Sequence, residues 1–128
     1  MKTTICPYEL RSNLETFIGT ESFYKIPLLK TQFTDGVKYL ADAAECFWLV
    51  TDASVVANSL MNRSHFITID FKKLADDERE RIGFSALIEY SDGNGNILDT
   101  HKYHATDFPL EKIRLFYMNG TLMLSSEY

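Results

Sequence analysis

Asp99, His101 and Tyr103 alternate along one strand-like stretch, so their side chains project to a single face. A carboxylate beside an imidazole can orient it as a general base, the first half of a nucleophilic or acid–base site. No obvious nucleophile accompanies the three, and a histidine opposite a carboxylate also serves as an ordinary cross-strand pair. His104 follows three residues after His101, which puts it on the opposite strand face, so the two cannot share a metal without an intervening bulge. Asp92-Gly93-Asn94-Gly95-Asn96 begins like a calcium loop, with oxygen ligands at positions one, three and five. The sixth position is Ile97 and the twelfth Tyr103, where glycine and a bidentate acid are required. Glycine, asparagine and aspartate also tolerate the positive φ of hairpin turns, and that reading of the segment is the stronger. Cys6 and Cys46 are too few for a zinc site or a disulfide framework and read as free thiols. Phosphate-cradling glycine loops, nucleophile elbows and Cys-Xaa-Xaa-Cys pairs are absent from the sequence. Catalytic residues, cofactor sites and metal sites are therefore not expected.

The elements that position these residues follow from periodicity. Pro7 suits a first helical position, Leu10, Leu14, Phe17 and Ile18 share a face, and Gly19 suits a stop. An irregular connector runs through Ile26-Pro27-Leu28-Leu29. Thr34 is placed to cap a second helix, Asp35 complements its dipole, and Val37, Leu40, Ala41, Ala44, Phe47 and Trp48 form its apolar stripe. A further stripe runs from Leu49 to Leu60; Thr51-Asp52 either starts a separate helix or lies within one continuous helix. From His65 the period becomes two: Ile67, Ile69 and Phe71, then Phe84, Ala86, Ile88 and Tyr90, then Ile97 to about Ala105. The mixed-sign segment from Asp76 to Arg81 reads as a solvated loop or short helix. Thr106 to Leu110 is a loop. Ile113, Leu115 and Tyr117 lead through the turn Asn119-Gly120 to Leu122 and Leu124. The expected fold is α+β: one domain over 1–128, with two or three N-terminal helices packed on a C-terminal antiparallel sheet of about five strands in two layers.

Composition bounds the function. The 128 residues are 45% hydrophobic and 24% charged, an ordinary globular balance. No apolar run reaches a membrane span and the N-terminus lacks a secretory segment, so a cytoplasmic location and no membrane contact are expected. The net charge is −5, with −1 in residues 1–64 and −4 in residues 65–128. An acidic chain without a basic stripe argues against direct binding of nucleic acid and permits a basic protein partner. If Asn119-Gly120 is a two-residue turn, Phe116 faces Met123 on the side away from Leu115 and Leu124, and Leu87 also points away from the core face. A second apolar sheet face is then either covered by the chain, around Tyr8 or Ile26–Leu29, or contacts a partner, a homodimer included.

The motifs Phe33-Thr34-Asp35-Gly36-Val37-Lys38-Tyr39-Leu40-Ala41 and Phe47-Trp48-Leu49-Val50-Thr51-Asp52 resemble a family of small bacterial and phage-associated proteins classed as a domain of unknown function. Asp92 to Asn96, Thr106 to Leu110 and Ser125-Ser126-Glu127-Tyr128 extend the resemblance, which covers about residues 28–128. It implies one domain with helices before sheet, and no activity or functional residue carries over from it. The leading expectation is a non-enzymatic interaction module, encoded by a phage or mobile element and inhibiting a host or defence protein, as an anti-CRISPR protein does. Asp76, Asp77, Glu80, Leu87, Phe116 and Met123 are its candidate contact residues. The alternative is a small-ligand-binding or catalytic domain using Asp99, His101 and Tyr103.

Overall fold

The computed structural model describes residues 6–19, 22–26, 31–104 and 106–128. Its elements are α1 (Pro7–Leu14), β1 (Phe23–Ile26), β2 (Thr31–Thr34), α2 (Asp35–Ala43), α3 (Phe47–Ser59), β3 (Phe66–Lys73), α4 (Asp76–Ile82), β4 (Ala86–Ser91), β5 (Ile97–Tyr103), β6 (Lys112–Met118) and β7 (Thr121–Leu124), followed by a single 3₁₀ turn (Ser125–Glu127). The α+β class is as expected, but the described residues form four helices and one sheet of seven strands, in the order β1-β2-β7-β6-β3-β4-β5, where two or three helices and about five strands were expected.

Three expectations are corrected here. The segment read as an irregular connector contributes β1 and β2, an antiparallel pair in which Phe23 lies across from Thr34 and Ile26 across from Thr31. Both are only four residues long, too short for alternation to declare itself. Pro27 does favour an extended Ile26, as its ring requires, and the strand ends there; residues 27–30 lie outside those described. Secondly, the sheet is not wholly antiparallel, because β2 runs parallel to β7, with Phe33 beside Leu122.

The third correction concerns the helix break. α2 ends at Ala44 and Glu45 turns left-handed at φ 50°, so Thr51 and Asp52 lie inside α3. A continuous helix over residues 35–60 would run about 39 Å. The longest strand has eight residues and spans about 26 Å. The break lets both segments stay over the sheet. Phe47, expected on the buried stripe, is half exposed as a result.

One sheet face is the core. Ile67, Ile69 and Phe71 of β3, Ala86, Ile88 and Tyr90 of β4, Leu115 and Tyr117 of β6, and Leu122 and Leu124 of β7 are all buried there. Leu40, Leu49, Val50, Ala53 and Ala57 of α2 and α3, with Leu10 and Leu14 of α1, complete it. The layers are also pinned by polar contacts: Tyr117 Oη lies 2.8 Å from Thr31 Oγ1 and donates to Asn58 Oδ1 at 3.2 Å. α4, with no buried residue, is the short solvated helix that its charges suggested, closed by Gly83 at φ 92°.

Both glycine turns are scaffold. Asn119 and Gly120 have φ 53° and 71°, the mirror-image turn that joins two twisted strands. In the other, Asp92 Oδ1 accepts the backbone N–H groups of Asn94 at 2.8 Å and Asn96 at 3.2 Å, and Oδ2 accepts Asn96 Nδ2 at 2.7 Å. A register shift at Tyr90/Ser91 follows, so Tyr90 opposes Asp99 while Ser91 opposes Ile97. The loop's hydrogen bonds, that from the Asn96 side chain foremost, hold the Asp92 carboxyl below its ordinary pKa. A depressed carboxyl stabilises the fold above its unfolded pKa and loses that contribution as pH falls through the folded value. Asp92→Asn is therefore expected to lower the urea midpoint at pH 7 and to narrow the gap between wild type and variant below about pH 4. A gap independent of pH would show that the charge is idle.

Candidate functional site

The structure brings Asp99, His101 and Tyr103 together on the core-side face of β5, at the sheet edge, where they stand opposite Tyr90, Ile88 and Ala86. His101 Nε2 lies 3.0 Å from Asp99 Oδ2, and both side chains remain partly open, at 42% and 44% exposure. That hydrogen bond, ahead of the other influences, holds the Asp99 carboxyl below its usual range. Tyr103 is engaged differently: its hydroxyl donates to Asp52 of α3 at 3.0 Å and its ring packs 5.5 Å from Trp48. Burial, reinforced by Asp52, pushes the Tyr103 phenol up, so it stays protonated. Arg63 donates to the Leu98 carbonyl at 3.1 Å, on the residue between the two registers of β5.

Sequence reasoning did not reach Asp52, Trp48, Arg63 or Tyr90 of this cluster, since they come from α3, the turn after it and β4 rather than from β5. Tyr90 is the most telling. It is fully buried, its ring meets His101 edge-on at 5.6 Å, and its hydroxyl makes no hydrogen bond among the described residues. Burial first, then Tyr103, Asp52 and Asp99, drives its phenol far up. The arrangement offers an oriented imidazole and two protonated phenols, but no activated nucleophile among these residues. Because a buried unpaired hydroxyl costs about 1–3 kcal/mol, Tyr90→Phe is expected to leave stability unchanged or raise it by up to about 2 kcal/mol. A loss of stability in urea titration would mean that the hydroxyl has a partner.

The other candidate surface is the opposite sheet face, which no helix among the described residues covers. The register confirms that Phe116 faces Met123 and that Leu87 lies on this side, across from Lys72. They do not form one patch. Phe116 sits opposite Thr68, four residues from Lys72 along β3, or about 13 Å away. The row containing Glu89, Asp70 and Arg114 lies between. Asp76, Asp77 and Glu80 are exposed on α4, off the sheet.

Phe116 instead joins residues that sequence reasoning missed. Its ring centroid is 5.0 Å from Phe66 and 5.4 Å from Tyr128, and Phe66 and Tyr128 are 5.2 Å apart. Met118 opposes Phe66 on the same face. Parity along β3 and β6 was the available signal for Phe66 and Met118; nothing local signalled Tyr128. Of the expected cover, Tyr8 is 81% exposed and Ile26 is buried in the helix-side core, while Pro27 to Leu29 lie outside the described residues. Tyr128, itself 68% exposed, partly lids the cluster, and Gly93 brings the Asp92–Asn96 turn over Thr68 and Phe66.

Tyr128 is held in place by its neighbour. Glu127 Oε1 accepts Thr34 Oγ1 at 2.6 Å and the Leu124 N–H at 3.0 Å, while Oε2 accepts the Gly36 N–H at 3.3 Å. Thr34 Oγ1 in turn accepts the Val37 N–H at 3.2 Å, the expected cap. A carboxylate at the positive end of α2 is favourable. Two segments of the family resemblance, Thr34-Asp35-Gly36 and Glu127-Tyr128, are thus one contact.

No metal-binding group of three or more His, Cys, Asp or Glu exists among the described residues, and none of their helices is long and apolar enough to cross a membrane. No curated protein and no solved structure matches the chain. A family model does match, over residues 8–128, which takes in α1 and β1 as well as the segments that carried the resemblance. The chain belongs to the Family of unknown function (DUF6876).

Proposed function

We propose that this protein acts by binding another protein, as a non-enzymatic interaction module. The observation that carries the reading is the apolar cluster of Phe66, Phe116, Met118, Met123 and Tyr128 on a sheet face that no helix among the described residues covers. Aromatic side chains supply large contact area at low entropic cost, thioethers adapt to the shape of a partner, and clusters of them on an open face mark contact sites. The resemblance to small bacterial and phage-associated proteins favours a host or defence protein as the target, inhibited in the anti-CRISPR manner and in the cytoplasm.

A second reading has one observation in its favour, the 3.0 Å Asp99–His101 pair beside a buried, unpaired Tyr90 hydroxyl. It makes the β5 edge a small-ligand or acid–base site.

Affinity purification from the native host separates the two. The wild-type protein should recover a stoichiometric partner that Phe116→Ser and Met123→Glu lose, while His101→Ala and Asp99→Ala retain it. A phenotype that vanishes in the folded His101 and Asp99 variants, with no partner recovered by any form, sinks the interaction reading.

A further inference from the structure

The open sheet face carries a charge opposite to that of the chain. By strand register, Lys25, Lys72, Lys102, Lys112 and Arg114 lie on it against only two carboxylates, Asp70 and Glu89. The net charge of the whole chain is −5, so this face, even with Asp92 in the turn over Phe66 counted as a third anion, is a basic island on an acidic body.

The cations are not spread evenly. Lys112, Lys72, Leu87 and Lys102 make one cross-strand row over β6, β3, β4 and β5. Lys112 and Lys72 stand directly opposite each other, an arrangement that repels. Arg11 of α1 reaches the same end and donates to the Lys112 carbonyl at 3.4 Å. In the next row Arg114 is spent on Asp70, with nitrogen–oxygen distances of 2.7 and 3.3 Å. Lys72, Lys102 and Lys112 are exposed and in no ion pair with an acid of the face. The aromatic cluster occupies the other end, about 13 Å along β3.

We propose that this face docks an acidic segment of a partner protein, with an apolar side chain seated against Phe66, Phe116 and Tyr128 and carboxylates over the Lys112–Lys72–Lys102 row. The inference rests on the interaction reading above and reverses the partner charge that the whole-chain total suggests. Carboxylates over the row relieve its lysine–lysine repulsion, and the acidic remainder of the surface repels the same partner everywhere else, which orients it. A nucleic acid would satisfy the lysines, but the aromatic rings are not parallel to one another and so form no common platform for stacked bases. Tyr128 stands against Phe66 at 88° and against Phe116 at 81°.

The test uses the full chain and a fluorescein-labelled peptide of alternating glutamate and leucine, followed by anisotropy, with an alternating lysine and leucine peptide, oligothymidine and phosphatidylserine-containing vesicles as comparisons. Binding of the acidic peptide should weaken about tenfold in the double variant Lys72→Glu/Lys112→Glu, and similarly when salt rises from about 50 to 200 mM. Tyr128→Ser should weaken it independently. Both lysines are exposed, and an unchanged urea midpoint establishes that the double variant is folded. No binding of the acidic peptide, equal binding to the double variant, or tighter binding of oligothymidine or vesicles overturns the proposal. A native partner that the double variant retains but Phe116→Ser loses overturns it too, and leaves the interaction reading standing. Recovery of no partner by any form strikes that reading instead, and the peptide titration still decides this one.

Discussion

Replacing Phe108 by alanine is expected to lower the free energy of unfolding by about 3–5 kcal/mol. Phe108 belongs to no helix or strand, and a loop residue is ordinarily tolerant of change. This one is fully buried, and its ring meets Phe71 of β3 edge-on at 4.8 Å and 67°. The loop is held in shape by the Phe108 N–H donating to Thr106 Oγ1 at 3.1 Å, and Leu110 is buried beside it. The expected loss combines the transfer of a phenyl ring to water with the cavity left against Phe71. At roughly 3–5 °C per kcal/mol for a chain of this size, melting should fall by about 10–20 °C. Phe108→Leu keeps most of the volume and should cost less than about 2 kcal/mol. A loss below about 1 kcal/mol for the alanine variant would falsify the buried placement of the loop.

Gly36→Ala is the second large effect, and its sign is the informative part. In an exposed helical position alanine in place of glycine stabilises by about 0.5–1 kcal/mol. Here an added Cβ would lie 2.6 Å from Glu127 Oε1 and 2.7 Å from Leu124 Cδ1. Something must move, and Glu127 is tied to Thr34, Gly36 and Leu124 by hydrogen bonds. We expect a net destabilisation of about 1–3 kcal/mol. Glu127→Ala alone should also destabilise, through the lost contacts at the start of α2. In the Gly36→Ala background, however, the Glu127 substitution should cost much less, because the clash has already displaced the carboxylate. Strict additivity in this double-mutant cycle would mean the two residues do not touch. The same displacement frees Tyr128, so Gly36→Ala links the stability of α2 to the open sheet face.

Much of the fold was legible residue by residue. Ile67-Ile69-Phe71 and Ala86-Ile88-Tyr90 alternate because one side of each strand is buried, and that side is read directly from the order of residues. Thr34 as a cap, Asn119-Gly120 as a tight turn and Asp92–Asn96 as a connection between two strands are local properties of backbone and side chain. Phe116 facing Met123 followed from a turn of two residues. The two short strands did not declare themselves, since four residues hold too little periodicity. The break at Glu45 was misplaced because the apolar stripe runs through it unbroken, while the left-handed turn there keeps both helices over strands of limited length.

The α+β class, the register set by the Asn119-Gly120 turn and most of the core-facing residues were readable in the order of residues alone. Each rests on interactions between neighbours a few positions apart, where composition and spacing suffice. Which residues lie beside which over long separations is set by the packing of the whole chain. That packing placed Asp52 and Tyr90 against the Asp99–His101–Tyr103 face, Glu127 on the start of α2, Tyr128 over Phe66 and Phe116, and Lys72 across from Lys112. Such contacts arise when strands distant in the chain are brought side by side by burial of their common apolar face. Burial is non-directional and selects residues by area rather than by position, so the polar and aromatic groups carried along with the buried side chains meet without any local signal.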